Sequence, residues 1–179
     1  MAQPAALTFQ VATSNDVTPV LSLVRSAYRG DASRAGWTTE ADLVADDRID
    51  EAGILSKIND PQGVVLLAYD AAGALASCCE LLKRDGELAY FGLFAVDPLR
   101  QAGGIGKQVL AEAEAYAKKV FGVGRLEMQV IWLRADLIAW YERRGYTKTE
   151  ETRPFPYEHL VNGKALRDDL YFVVIAKDL

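Results

Sequence analysis

Apolar residues fall into two kinds of repeat along this chain. Residues 7–11 read as an opening strand, after which Val17, Val20, Leu21, Val24, Ala27 and Tyr28 share one helical face, with Gly30 supplying a stop. Beyond a loop through Gly36 and Trp37, Thr39 and Asp42 have the spacing of a capping box, and Leu43, Ile54, Leu55 and Ile58 follow in short helical pieces. Residues 64–69, 74–82 and 87–96 are strand-like runs separated by turn chemistry at 70–73 and at Asp85 and Gly86, which predicts an antiparallel meander. A period of two along the third run places Tyr90, Gly92, Phe94 and Val96 on one face. Ile105, Val109, Ala113, Ala117 and Phe121 then recur every four residues, and Gly122 and Gly124 end that helix. A strand at 126–131, a short helix at 134–144 and a strand at 170–176 complete the pattern. The expected fold is α/β, a mixed and mostly antiparallel sheet flanked by helices.

The 179 residues suit one domain, 1–179, since no linker or repeat divides them. Half are hydrophobic, so the core needs no staples. Adjacent Cys78 and Cys79 on a strand point to opposite faces, and with a single histidine no metal site is read. Residues 1–10 lack a secretory pattern and no apolar stretch is long enough to span a bilayer, which makes the cytoplasm the expected compartment, without membrane association. A net charge of -5 argues against a general grip on nucleic acid. That charge concentrates between Asp31 and Asp60, where Asp31, Glu40, Asp42, Asp46, Asp47, Asp50, Glu51 and Asp60 face only Arg34, Arg48 and Lys57. Solvated helix faces explain it, as does a field that attracts a cationic amine.

The chemistry concentrates in residues 96–106, which leave a strand and enter a helix. The first amides of a helix lack intrahelical partners and sit at its positive end, so they bind pyrophosphate directly. Gly103, Gly104 and Gly106 let the backbone come close, and Pro98 fixes one φ before the turn. A Walker loop needs Ser or Thr where Gln108 follows Gly106 and Lys107. A dinucleotide fingerprint beginning at Gly104 meets Val109 in place of its last small residue, although Glu127 lies near the distance of the ribose acid. A plain connecting turn is the remaining alternative.

Gln101, Gly104 and Gly106, preceded by Val96 and Pro98, together with AWYERRGY at 139–146, resemble two signatures of the GNAT N-acetyltransferase superfamily. The resemblance implies a GNAT-like acyl-CoA N-acyltransferase fold, with acetyl-CoA as co-substrate and direct attack of a primary amine on its thioester. It implies that the backbone of Phe94, Ala95 and Val96 pairs with the pantetheine arm. Gln101, Ala102, Gly103, Gly104, Ile105, Gly106 and Lys107 would then wrap the pyrophosphate. Gln101 replaces an Arg, a cation that Arg100 or Lys107 can supply. Arg134 stands where many relatives place an Asn that touches the cofactor.

Tyr141 matches the family's general acid, which contacts cofactor sulfur; without the motif it reads as a tyrosine packed on its helix. Glu80, on the neighbouring strand, is a candidate base beside a reading as a surface or edge carboxylate. Tyr28, Trp37 and Tyr90 are candidate acceptor-binding residues, against simple core packing. His159 reads as a surface histidine. The partner expected is a small-molecule amine rather than a protein, with a homodimer left open. A non-catalytic acyl-CoA-binding sensor or interaction module is the alternative, and an NAD-binding domain is a weaker third.

Overall fold

In the computed structural model, which describes residues 6–179, α1 spans Val17–Tyr28 because Val20, Leu21, Leu23, Val24 and Ala27 share one buried face. Residues 1–5, part of the expected domain 1–179 and of the segment expected to lack a secretory pattern, lie outside the described residues. β1 (Thr8–Val11) precedes α1, and α2 (Gly30–Ser33) follows it. Gly30 thus opens a second short helix at φ +66 rather than ending the first, and Arg29 between them is extended.

The expected helical pieces after Thr39 are replaced in part by turns. Thr39 Oγ1 accepts from the Ala41 amide, and Val44–Ala45 forms a short strand, β2, before α3 (Glu51–Ile58). The meander is β3 (Gly63–Tyr69), β4 (Leu75–Lys83) and β5 (Leu88–Val96). Then come α4 (Ile105–Tyr116), a widened turn at Ala117–Phe121, β6 (Arg125–Ile131) and α5 (Ala135–Glu142). β7 (Thr147–Pro154), β8 (Lys164–Ala165) and β9 (Tyr171–Asp178) end the chain.

Seven strands form one sheet in the order β1-β3-β4-β5-β6-β9-β7, and β2 pairs with β8 apart from it. Every neighbour is antiparallel except β5 and β6, which run parallel and pair only at Leu88–Arg125, Ala89–Leu126 and Tyr90–Glu127. One face of the sheet buries Ile105, Val109, Leu110 and Ala113 of α4 with Ile138 and Tyr141 of α5. The other buries α1 and Ile54 of α3. The chain is therefore mixed α/β with the sheet between helical layers. No helix among the described residues is long and apolar enough to cross a membrane.

β5 departs from strict alternation. Cys78 pairs with Ala95 and Glu80 with Gly92, so Leu93 and Phe94 together oppose Cys79, and Leu93 takes φ +47. This bulge exchanges the faces of the strand. Ala89 and Phe91 join the α4 side, whereas Leu93 and Ala95 join the α1 side. Phe94 packs with Phe91, ring centroids 5.1 Å apart. The expectation of one shared face for Tyr90, Gly92, Phe94 and Val96 is therefore corrected: Tyr90 and Gly92 face one way, Phe94 and Val96 the other.

Leu126 is fully buried on β6, the strand that joins the two halves of the sheet. Leu126→Ala is expected to lower the unfolding free energy by about 2–5 kcal/mol in urea titration, through lost transfer and the cavity left behind.

Candidate active site

The turn after β5 is built by local polar contacts. Asp97 Oδ1 accepts from the Leu99 amide at 3.0 Å, Pro98 begins a tight turn, and Ala102 and Gly104 take left-handed φ of 67° and 82°. Gly104 is thereby the N-cap of α4, whose twelve residues put their dipole and free amides at this end. Beside it lies a cavity of about 200 Å³. Its wall includes Phe94, Val96, Gln101, Ala102, Gly104, Gly106 and Lys107 from the predicted cofactor set. Ala95 points into the α1 core, Ile105 into the α4 core, and Gly103 is exposed. A methyl group at Gly106 would touch the rings of Phe94 and Trp140, so the helix start and β5 approach closely here.

Of the two cations expected to stand in for the family Arg, Arg100 is turned to Asp70, 2.8 Å away, whereas Lys107 lines the cavity, together with Arg144. Arg144 is not among the site residues expected from the sequence. Its guanidinium stacks 3.6 Å over the Trp140 ring, its Nη1 donates to Trp140 O, and its Nε is buried with no partner among the described residues. Burial, with Arg143 adding to it, pulls its pKa below the usual value. Gln101 acts as a latch: its Oε1 accepts from the Trp37 amide at 3.0 Å and its Nε2 donates to Val96 O at 3.2 Å. Any side chain at Gly36 would collide with that amide.

A second cavity, of about 310 Å³, meets the first at Tyr28, Phe94, Arg134 and Leu137. It opens where β5 and β6 have stopped pairing, between residues 91–94 and 128–131. Tyr28 and Tyr90 line it, whereas Trp37 borders the first cavity and is 44% exposed. Tyr28 donates to Phe94 O at 2.9 Å. Tyr141 lines the second cavity, and its hydroxyl makes no hydrogen bond among the described residues. Burial pushes its phenol far above the usual pKa, and raises Tyr90 to about 12. Both stay protonated near neutrality. Glu80 lines neither cavity; it is buried and held by Lys57 Nζ at 2.8 and 3.0 Å. His159 is exposed at the mouth.

Two acids of this stretch, Glu40 and Asp46, are drawn into the structure, which corrects for them the expectation of exposed helix faces; Asp31, Asp42, Asp50 and Glu51 are exposed. Glu40 is 7% exposed and receives Arg29 Nη1 and Arg134 Nη1, each at 2.6 Å. Asp46 takes Arg29 Nε and the amides of Arg48 and Val161. Arg134 also donates to Thr38 Oγ1 at 2.8 Å, and its Nε is buried without a partner among the described residues. Arg134 thus ties the 34–40 loop to the start of α5 while lining both cavities. Burial alone would raise the Glu40 pKa, but Arg134 and Arg29 outweigh it and hold the carboxyl below its usual value.

Residues 22–146 match the model of the acetyltransferase (GNAT) family. No curated protein matches the chain. Among solved structures, the ribosomal-protein-S18-alanine N-acetyltransferase of Escherichia coli superposes with TM-score 0.70 at 17% identity, over 97% of this chain and 94% of that one. The IAA acetyltransferase of Bacillus cereus gives 0.67 at 18%, over 97% and 100%. Spermidine/spermine N-acetyltransferase of Vibrio cholerae gives 0.65 at 17%, over 95% and 91%. These identities carry the fold.

Because the folded pKa of Glu40 is depressed, its contribution to stability is present above the unfolded value of about 4.3 and is lost as pH falls through the folded value. Glu40→Gln leaves Arg29 and Arg134 without their shared counter-ion and is expected to destabilise the protein by about 3–5 kcal/mol at pH 7. Denaturant titrations repeated down the pH scale are expected to show wild type approaching the variant below about pH 4.

Proposed function

This chain belongs to the acetyltransferase (GNAT) family, and from that premise we propose that it carries the acetyl group of acetyl-CoA to the primary amine of a small-molecule acceptor. It is an acetyl-CoA-dependent acyltransferase. The observation that carries the finer reading is the meeting of two cavities at Tyr28, Phe94, Arg134 and Leu137, one beside the start of α4 and the other beside Tyr141. Such a junction lets two reactants reach one point from opposite sides.

The first cavity suits the co-substrate chemically. Its free helix amides and Lys107 offer donors to phosphate oxygens, the Arg144 guanidinium adds positive charge to the wall, and Phe94, Val96, Leu137 and Trp140 offer an apolar wall to an extended arm. Phe94 O and Val96 O, on the part of β5 beyond its pairing with β6, accept from Tyr28 and Gln101, so an arm pairing with this backbone would share or displace those side chains. Acetyl-CoA supplies an activated thioester. Tyr141, kept protonated by burial, is proposed to donate to the departing sulfur as the amine attacks. Glu80 is proposed to draw the ammonium proton through water past Tyr90, from behind its ion pair with Lys57. Tyr28 and Tyr90 would border the acceptor, and Trp37 the co-substrate. A volume near 310 Å³ lies at the small end of ligand sites, which supports a small molecule over a protein segment. A cytoplasmic setting belongs to the same proposal.

Titration calorimetry with CoA, and thiol release from acetyl-CoA across a panel of amines, test this reading. Tyr141→Phe is expected to slow turnover by about 10²- to 10⁴-fold while CoA affinity stays within a few-fold. Absence of CoA binding, or background thiol release with every amine, would return the chain to the binding-module alternative. Unchanged turnover in the variant would remove Tyr141 from the acid role.

A further inference from the structure

The charges that line the second cavity do not match a polycationic guest. Glu40 is occupied by Arg29 and Arg134, and Asp46 by Arg29 and two backbone amides. Glu80, behind the wall, is occupied by Lys57. Against these three carboxylates stand Arg29, Arg48, Lys57 and Arg134, all on the cavity wall, so one positive charge is left over. The surplus belongs to Arg48. Its guanidinium has no carboxylate within ion-pair distance and no side-chain hydrogen bond among the described residues, and it is not sealed from solvent.

Arg48 is also held in place. Its backbone is left-handed at φ 64, a conformation uncommon for a long side chain, and its amide donates to Asp46 Oδ1 at 3.0 Å. The same Asp46 is fixed by Arg29 and by the Val161 amide. From there the guanidinium lies over the Tyr28 ring, 4.9 Å from its centroid, and the hydroxyl of that ring reaches Phe94 O where the two cavities join. A cation fixed beside this junction, with five donors in a planar fork and no carboxylate within ion-pair distance among the described residues, has the chemistry that binding a carboxylate requires.

Resting on the acetyltransferase reading above, we propose that the acceptor is a carboxylate-bearing primary amine, its carboxylate bound by Arg48 and its amine directed at the junction of the cavities. Polyamines are expected to be poor acceptors for this site, because among the described residues each carboxylate on its wall is already paired with an arginine. The net charge of -5 misleads on this point. The acids that produce it near this cavity are spent on arginines and a lysine of the same chain.

The test is thiol release from acetyl-CoA with each of the twenty amino acids beside its carboxamide, and with spermidine. The full-length protein is expected to prefer at least one free acid over its amide by about 10- to 100-fold in kcat/KM, mostly through KM, because a charge-assisted fork is lost in the amide. In Arg48→Gln that ratio is expected to fall toward one, and in Arg48→Lys to fall only in part. A wild-type preference for amides or spermidine would overturn the inference and leave the acetyltransferase reading standing. An acid-to-amide ratio unchanged in Arg48→Gln would do the same. Background release with every amine would overturn both.

Discussion

Among the described residues, β5 and β6 are the only parallel neighbours in the sheet, and they share three residue pairs before they separate. Beyond Tyr90 no strand among the described residues pairs with that edge of β5, yet it lies in the middle of the sheet between helical layers. Polar backbone groups in such a position must find partners. Tyr28 and Gln101 provide them at Phe94 O and Val96 O, and the space left between the strands becomes the two joined cavities. The bulge at Leu93 belongs to this arrangement, since it turns Phe94 and Val96 toward Gly106 and Trp140, and Tyr90 and Gly92 toward Arg48 and Lys57. One side of the strand thus faces the proposed co-substrate and the other the proposed acceptor.

An opening in a sheet must be held open, and the walls here are held by charge. Glu40 joins the end of α1 to the start of α5 through Arg29 and Arg134, and Asp46 carries the network on to the segment before β8. Buried ion pairs of this kind contribute little net stability, because desolvation offsets the attraction, but they fix geometry strongly, since breaking one leaves a charge uncompensated. Among the described residues of the second cavity, the same network leaves the Arg48 guanidinium without a carboxylate in ion-pair contact.

The turn at 96–106 was legible because a strand-to-helix reversal demands small residues, and Gly104 takes the left-handed φ it needs there; phosphate binding by the same turn stays a proposal. The long helices were legible from their apolar faces. The bulge was not, because Leu93 at positive φ gives no glycine signal. β7 was missed since its residues Thr147–Pro154 are mostly exposed and polar along both faces, as suits an edge strand. The Arg29, Glu40, Asp46 and Arg134 network joins residues from separate loops and helices, a distance no local pattern spans. Charge counted along the sequence therefore suggested an attraction for cations where the folded cavity presents a cation of its own.

The most direct test of the account is amide hydrogen exchange, read with and without saturating CoA. Protection is predicted to rise at residues 94–96 and 101–107, the free edge of β5 and the start of α4, while β1 and the β2–β8 pair stay unchanged. Binding of CoA without added protection at these amides would contradict the placement of the co-substrate between the parted strands and the helix.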